Sequence, residues 1–199
     1  MTSITSSTLV LLDANVLYPF TLRDTLLRVA EQRFYQPRWT ATILDEVTRN
    51  LIKNQQVTPA QAESLAAVMT RAFPSAQVEG YQHRVSMMTN QAEDRHVAAA
   101  AVHAGCAIIM TQNLRDFSPL PPGVCAMSAD DFLCRLAESI GEDLVSILEE
   151  QASDLVSPPQ TLDDVLCGLS SVVPRFVAFA ERRLRARPTP GLARLILTQ

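Results

Sequence analysis

Four acidic side chains stand where chemistry could be done: Asp13, Glu46, Asp94 and Asp116. Asp13 ends the apolar run Leu9-Val10-Leu11-Leu12 and is followed by Ala14-Asn15. Asp116 lies in Thr111-Gln112-Asn113-Leu114-Arg115-Asp116-Phe117, directly after the apolar run Cys106-Ala107-Ile108-Ile109-Met110. Asp94 heads the alanine-rich stretch Ala92 to Val102, and Glu46 borders the apolar stripe Ile43, Val47 and Leu51. If these acids converge, they cannot all stay ionised without a counter-charge. A hard divalent cation resolves that conflict, since magnesium takes oxygen ligands, keeps several waters and bridges to substrate phosphates. Two such ions can activate a water and stabilise the leaving oxygen of a phosphodiester. No histidine or cysteine is required. The chain has three histidines (His83, His96, His103) and four cysteines without a Cys-x-x-Cys pair. Three of the four acids also have a purely structural explanation. Asp13 can end a strand, with Asn15 capping the next helix. Glu93 and Asp94 suit the positive end of a helix dipole, an effect of up to about 1 kcal/mol. Asp116 can be a turn residue before Ser118-Pro119.

The elements that must position these residues follow from the apolar pattern. Short continuous apolar runs fit strands buried on both faces, as in a parallel sheet, where ligands bind beyond the carboxyl ends. Residues 9–12, 106–110 and 124–127 read as such strands, and Ala76-Gln77-Val78 as a short second one. A helix capped by Thr21 is expected to about Phe34, with Pro37 as a break. A second, capped by Thr40 or Thr42, runs to about Asn54 with Glu46 at the edge of its buried face. Thr58-Pro59 opens a third. The helix from Ala92 ends at Gly105 as C-cap, and its packing face, Val97, Ala98, Ala101 and Val102, projects back onto Asp94. Ser128 caps a helix to about Ile140. Beyond Gly141 three helices are expected, Glu142 to Val156, Thr161 to Leu169 and Pro174 to Arg185, then a linker-like Arg187-Pro188-Thr189-Pro190-Gly191.

The composition, 47% hydrophobic over 199 residues, supports one core-forming domain with an appendage. No apolar run approaches the roughly 20 residues needed to cross a bilayer, and no secretory signal pattern opens the chain. Cys106 and Cys125 lie in apolar runs and read as core residues, which fits a reducing cytoplasm. A net charge of −4 argues at first against a nucleic-acid partner. The charge is unevenly spread, however. Asp130 to Asp164 holds ten acids and one base, whereas Arg175 to the end holds six arginines and one acid. The arginine-rich end could guide an RNA backbone, or its arginines could pair with the acidic segment.

In this order and at these distances, the motifs Leu12-Asp13-Ala14-Asn15, Ile43-Leu44-Asp45-Glu46, Glu93-Asp94-Arg95-His96-Val97-Ala98-Ala99-Ala100 and Thr111-Gln112-Asn113-Leu114-Arg115-Asp116-Phe117 resemble the four acidic motifs of PIN-domain nucleases. The resemblance covers roughly residues 8 to 138. It implies a three-layer α/β/α fold with a central parallel sheet of about 4–5 strands, within a nuclease domain at 1–140. A C-terminal helical extension with a basic tail at 141–199 exceeds a minimal member. It implies a magnesium- or manganese-dependent endoribonuclease, commonly a VapC-type toxin of a type II toxin–antitoxin pair. The partners would be an RNA substrate and a cognate antitoxin, with a homodimer as a family form. Asp13, Glu46, Asp94 and Asp116 would be the catalytic metal ligands in that order. Asn15, Thr111 and Asn113 would support the ligands or the substrate phosphate. Arg95 and Arg115, with Arg23 and Arg49, are the basic residues nearest the motifs. Asp45 neighbours Glu46, and the choice between them rests on the family pattern; Glu93 is an auxiliary acid.

Two other functions compete. A HAD-type phosphatase also places an aspartate after its first strand, but it wants a second aspartate at the position of Asn15, and Lys53 is the only lysine. A non-catalytic RNA- or protein-binding PIN-like module would need no carboxylate cage.

Overall fold

The computed structural model describes residues 3–187. Four parallel strands, β1 (Leu9–Leu12), β2 (Gln36–Arg38), β3 (Ile108–Met110) and β4 (Cys125–Met127), form one sheet in the order β2-β1-β3-β4. Val10, Leu11, Leu12, Ile108, Ile109 and Met110 are fully buried. Successive strand residues point to opposite faces, so both faces of the central pair are covered by helices. Leu12 registers with Met110 and Met110 with Met127, so β1, β3 and β4 end level.

The second strand differs from expectation. It is Gln36–Arg38, containing Pro37, rather than residues 76–78. A proline is tolerated on an edge strand, and β2 is an edge. The 76–78 segment contributes a single parallel bridge, Trp39 to Gln77.

Eight helices surround the sheet among the described residues: α1 (Ala14–Leu17), α2 (Phe20–Glu31), α3 (Ala41–Lys53), α4 (Pro59–Ala72), α5 (Arg95–Ala104), α6 (Ala129–Asp154), α7 (Leu162–Ser170) and α8 (Pro174–Ala186). Capping places several of their starts. Thr40, Thr58, Ser128 and Thr161 each accept a hydrogen bond from the backbone N–H three residues on. Gly105 closes α5 at φ 69°, a left-handed conformation that favours glycine. α2 opens behind Pro19, not Thr21. α5 starts at Arg95, because Ala92–Asp94 forms a 3-10 turn, so Asp94 stands at the mouth of the helix rather than on its packing face.

The two helices expected on either side of residue 140 meet end to end within α6, at a kink where Ile140 has non-helical backbone angles (φ −126°, ψ 33°). Next to the kink, a Cβ on Gly141 would lie 2.6 Å from Phe179 Cζ, so glycine is what lets α8 approach α6 this closely. The far half of α6 is fastened to α2. Thr25 Oγ1 donates to Gln151 Oε1 at 2.7 Å, Gln151 Nε2 donates to the Thr21 carbonyl at 3.1 Å, and Arg28 pairs with Asp154. One hydrophobic core runs from the sheet through Val165, Leu169 and Phe176 of the C-terminal helices. Cys106 is buried as expected, but Cys125 is exposed on edge strand β4. No described helix is long and apolar enough to cross a membrane.

Candidate active site

The level ends of β1 and β3 create the site. Asp13 leaves β1 with its N–H bonded to the Met110 carbonyl and caps α1, its Oδ1 accepting from Ala14 N–H at 2.8 Å. Its Oδ2 accepts from Asn15 Nδ2 at 2.8 Å and from Thr111 Oγ1 at 2.7 Å. Asn15 also donates to Thr111 Oγ1 and accepts from Gln112 N–H. Thr111 Oγ1 in turn accepts from Asn113 N–H at 3.1 Å. Asn15 and Thr111 thus fix the Asp13 carboxylate in one orientation across two strand ends. The Asn113 side chain itself is exposed. Asp13 is only 5% exposed, and this burial pushes its pKa up against the three hydrogen bonds that pull it down.

Asp94 reports the convergence of the other acids. Its pKa is lifted from 3.8 to about 6, first by burial, then by the charges of Asp13 and Asp116, with Glu46 adding to them and His96 opposing. Carboxylates from three other segments therefore act on Asp94, and Glu46 also acts on Asp13. Glu46 is half-buried on α3 and acts on Asp13, Asp94 and His96. Its neighbour Asp45 is exposed and lines a different groove, with Glu63 and Arg71 of α4. Glu93 is exposed.

The arginines near the motifs divide. Arg23, 7% exposed, is structural: its Nη1 donates to the carbonyls of Leu17 at 2.6 Å and Tyr18 at 3.2 Å. Arg49 bonds the Asp45 carbonyl of its own helix. Arg95 Nε donates to the Asn90 carbonyl at 3.1 Å and holds the segment that enters Asp94. Arg115 is exposed one residue before Asp116. Three α8 arginines are engaged with acids, Arg175 with Asp130 and Asp131, Arg183 with Glu142 and Arg185 with Glu181, as is Arg187 at the C-cap with Glu142 and Glu149; Arg182 is exposed and has no ion pair among the described residues. Of the two expectations for the arginine-rich end, the described part shows pairing. Arg194 and the rest of the basic tail lie outside the described residues.

Two contributors carried little signal in the sequence. Asn90, 3% exposed, donates to the Asp116 and Gln91 carbonyls, and Gln91 N–H also bonds the Asp116 carbonyl. This strap ties the fourth acid to the segment of the third. His96 is half-buried beside Glu46 and Asp94, and its pKa is lowered by burial against their charges. Its position two residues after Asp94 was the available clue.

Among the described residues, no three His, Cys, Asp or Glu side chains form a closed cage for a metal ion. The four acids offer oxygen donors with His96 beside Glu46 and Asp94, and Asp94 is lifted first by burial and then by the charges of Asp13 and Asp116. A cluster of carboxylates without a closed cage fits a hydrated hard cation, which needs one or two carboxylates and keeps its waters.

Comparison with known proteins agrees with this geometry. The PIN domain family matches residues 9–115, which span Asp13, Glu46 and Asp94 and end one residue before Asp116. The VapC50 C-terminal domain family matches residues 129–182. The Mycobacterium tuberculosis protein named "Putative ribonuclease VapC50" is 32% identical over 120 residues, covering 59% of this chain and 71% of that protein. No solved structure matches the chain. These matches displace the phosphatase alternative, and Asn15, which that chemistry would replace with an aspartate, is occupied in orienting Asp13. With its acids gathered at the strand ends and more than half of its length matched, the chain belongs to the PIN-domain family.

Proposed function

We propose that this chain is a metal-dependent endoribonuclease, the toxin of a type II toxin–antitoxin pair, with Asp13, Glu46, Asp94 and Asp116 as its catalytic acids. The observation that carries the reading is the placement of Asp94 in the field of Asp13, Asp116 and Glu46 beyond the ends of a parallel sheet, which with burial lifts its pKa to about 6. The family match and a relative whose name denotes a ribonuclease support it.

Magnesium or manganese, when bound, would neutralise the cluster, activate the attacking water and stabilise the leaving oxygen. The protein's own part is positioning. Asp13, locked by Thr111, Asn15 and the Ala14 N–H, presents a fixed carboxylate edge. Glu46 and Asp94 face it from α3 and the mouth of α5. Asp116 is held in place by its backbone through Asn90 and Gln91. Arg115, exposed beside Asp116, is the side chain we assign to the incoming phosphate, because an all-acid site repels the RNA backbone.

We assign catalysis to residues 1–140 and an accessory role to 141–199. As a toxin the protein would be neutralised by a cognate antitoxin protein and would work in the cytoplasm, as a homodimer. The decisive experiment is cleavage of single-stranded RNA before and after chelation. Cleavage should stop on removal of divalent cations and return with magnesium or manganese, the circular dichroism spectrum staying constant. Activity that survives exhaustive chelation overturns the metal-dependent reading.

A further inference from the structure

Beside the acid cluster, where α1 meets α3, lies a cavity of about 250 Å³ lined by Ala14, Asn15, Tyr18, Glu46, Asn50 and Asn54. Glu46, Asn50 and Asn54 recur every four residues, a spacing that puts them on one stripe of α3. The stripe begins at a carboxylate assigned to catalysis and leads away from it through two side-chain amides. Tyr18, the C-cap of α1, accepts a hydrogen bond from Asn54 Nδ2 at 2.9 Å. That bond uses one of the two N–H groups of the Asn54 amide and leaves the second N–H and the carbonyl oxygen. Asn50 stands half-buried between Glu46 and Asn54.

We propose that this cavity is a nucleobase subsite that seats the unpaired base next to the scissile phosphate, with adenine preferred. The proposal rests on the ribonuclease reading and adds substrate selectivity to it. Single-stranded RNA is recognised by stacking bases on aromatic rings and bonding their exposed edges. Tyr18 offers the ring. Asn50 offers a donor and an acceptor side by side, the pattern that matches adenine's paired ring nitrogen and amino group. The Asn54 carbonyl and the Glu46 carboxylate add acceptors, so the lining favours a base that carries an exocyclic amino group. Uracil would set its carbonyl oxygens against these acceptors and leave them unpaired.

Two assays test the subsite. In the first, a random-sequence single-stranded RNA pool is cut by the wild type and by Asn50→Ala, and the cleaved ends are sequenced. Alanine is a better helix former than asparagine, so the variant keeps α3. The wild type should enrich adenine over uracil at one position flanking the cut. Asn50→Ala should reduce that enrichment by about 5- to 150-fold, the range of one bidentate base contact, raising KM and leaving kcat and the other positions unchanged. Tyr18→Leu should weaken binding of all bases alike without changing their order. In the second assay, adenine- and uracil-containing oligonucleotides are bound at equilibrium without divalent cations, read by fluorescence anisotropy. Adenine selectivity that is lost in Asn50→Ala supports the subsite. Identical base profiles for wild type and Asn50→Ala, or equal oligonucleotide affinities in the wild type, overturn it. A wild type that cuts no RNA but binds adenine selectively through Asn50 refutes the nuclease reading and retains the subsite.

Discussion

Replacing Asp94 with asparagine keeps the side chain's shape and removes one charge from the crowded end of the sheet. In the metal-free protein Asp94 titrates near 6 instead of 3.8. At 1.36 kcal/mol per pKa unit the displacement has a ceiling of about 3 kcal/mol. Asp94 is partly exposed, and solvent screening reduces that ceiling to about 1 kcal/mol. The sign follows from linkage. The folded pKa lies above the unfolded one, so the favourable contribution of the protonated carboxyl is present below about pH 3.8 and lost as pH rises through about 6. Wild type and Asp94→Asn should therefore melt together near pH 4. At pH 7.5 in chelator the variant should melt about 2–4 °C higher, the shift expected from 1 kcal/mol in a domain of this size. Magnesium or manganese should raise the wild-type melting temperature and close the gap, because a cation that binds only the folded state stabilises it by mass action. Differential scanning fluorimetry across pH 4 to 8, with and without cation, measures all of this. Equal melting temperatures at pH 7.5 in chelator, or a difference that does not change with pH, would refute the claim that Asp94 sits in the field of three other acids. The same variant should lose cleavage while remaining folded; Asp24→Asn on α2, outside the motifs, should retain it.

Two further outcomes test the parts around the acids. Thr111→Val keeps the shape of a fully buried side chain and removes the hydroxyl that donates to Asp13 and accepts from Asn15 and Asn113; cleavage should fall about 10- to 100-fold, and a fully active variant would show that Asp13 needs no such support. Replacing Arg183, Arg185 and Arg187 with glutamine should leave the salt dependence of RNA binding unchanged, because these side chains already face Glu142, Glu181 and Glu149. Arg115→Gln alone should flatten the slope of log affinity against log salt by about 0.7. Both are measured in the Asp94→Asn background, and a triple variant that flattens the slope by about 2 would place RNA on α8.

The parts legible in the sequence are those fixed by local physics. β1 and β3 are unbroken apolar runs because both of their faces are buried, and their polar followers could be located at once. The caps at Thr40, Thr58, Ser128 and Thr161 were legible because each satisfies a helix N–H from its own segment. β2 was not, since three residues containing a proline make no strand signal; its pairing with β1, from Leu9 against Gln36 onward, comes from the fold around it. α6 divides in the sequence at Ile140-Gly141, where helix propensity drops. The backbone breaks there too, at Ile140, and Gln151, buried against Thr21 and Thr25, anchors the second helical segment to α2. Arg23 looked like its neighbours in type and spacing, and only its burial against two carbonyls separates it from the surface arginines.

At the site, motif order brings out four acids, but it does not choose between adjacent carboxylates. A helix turns about 100° per residue, so Asp45 and Glu46 cannot share a face, and the apolar stripe of α3 places Glu46 at its margin without saying what it meets there. The structure supplies the missing relation: Glu46 acts on Asp13 and Asp94, while Asp45 turns to a groove with α4. The same rotation carries Asn50 and Asn54 along with Glu46, so the residue that joins the acid cluster also fixes which amides border it. The arginine-rich end is ambiguous in the sequence for a related reason. A block of charge in the sequence says how much charge there is, not what faces it. Three of the four α8 arginines, Arg175, Arg183 and Arg185, and Arg187 just beyond the helix are matched by acids on α6 or on α8 itself, whereas Arg182 is exposed with no acid paired to it among the described residues. Such exposed pairs add little stability, yet they neutralise the field that would otherwise draw in phosphate. On the proposed ribonuclease reading, Arg115, exposed one residue before Asp116, and Arg182, exposed without an ion pair among the described residues, are the cations whose replacement tests where phosphate is met.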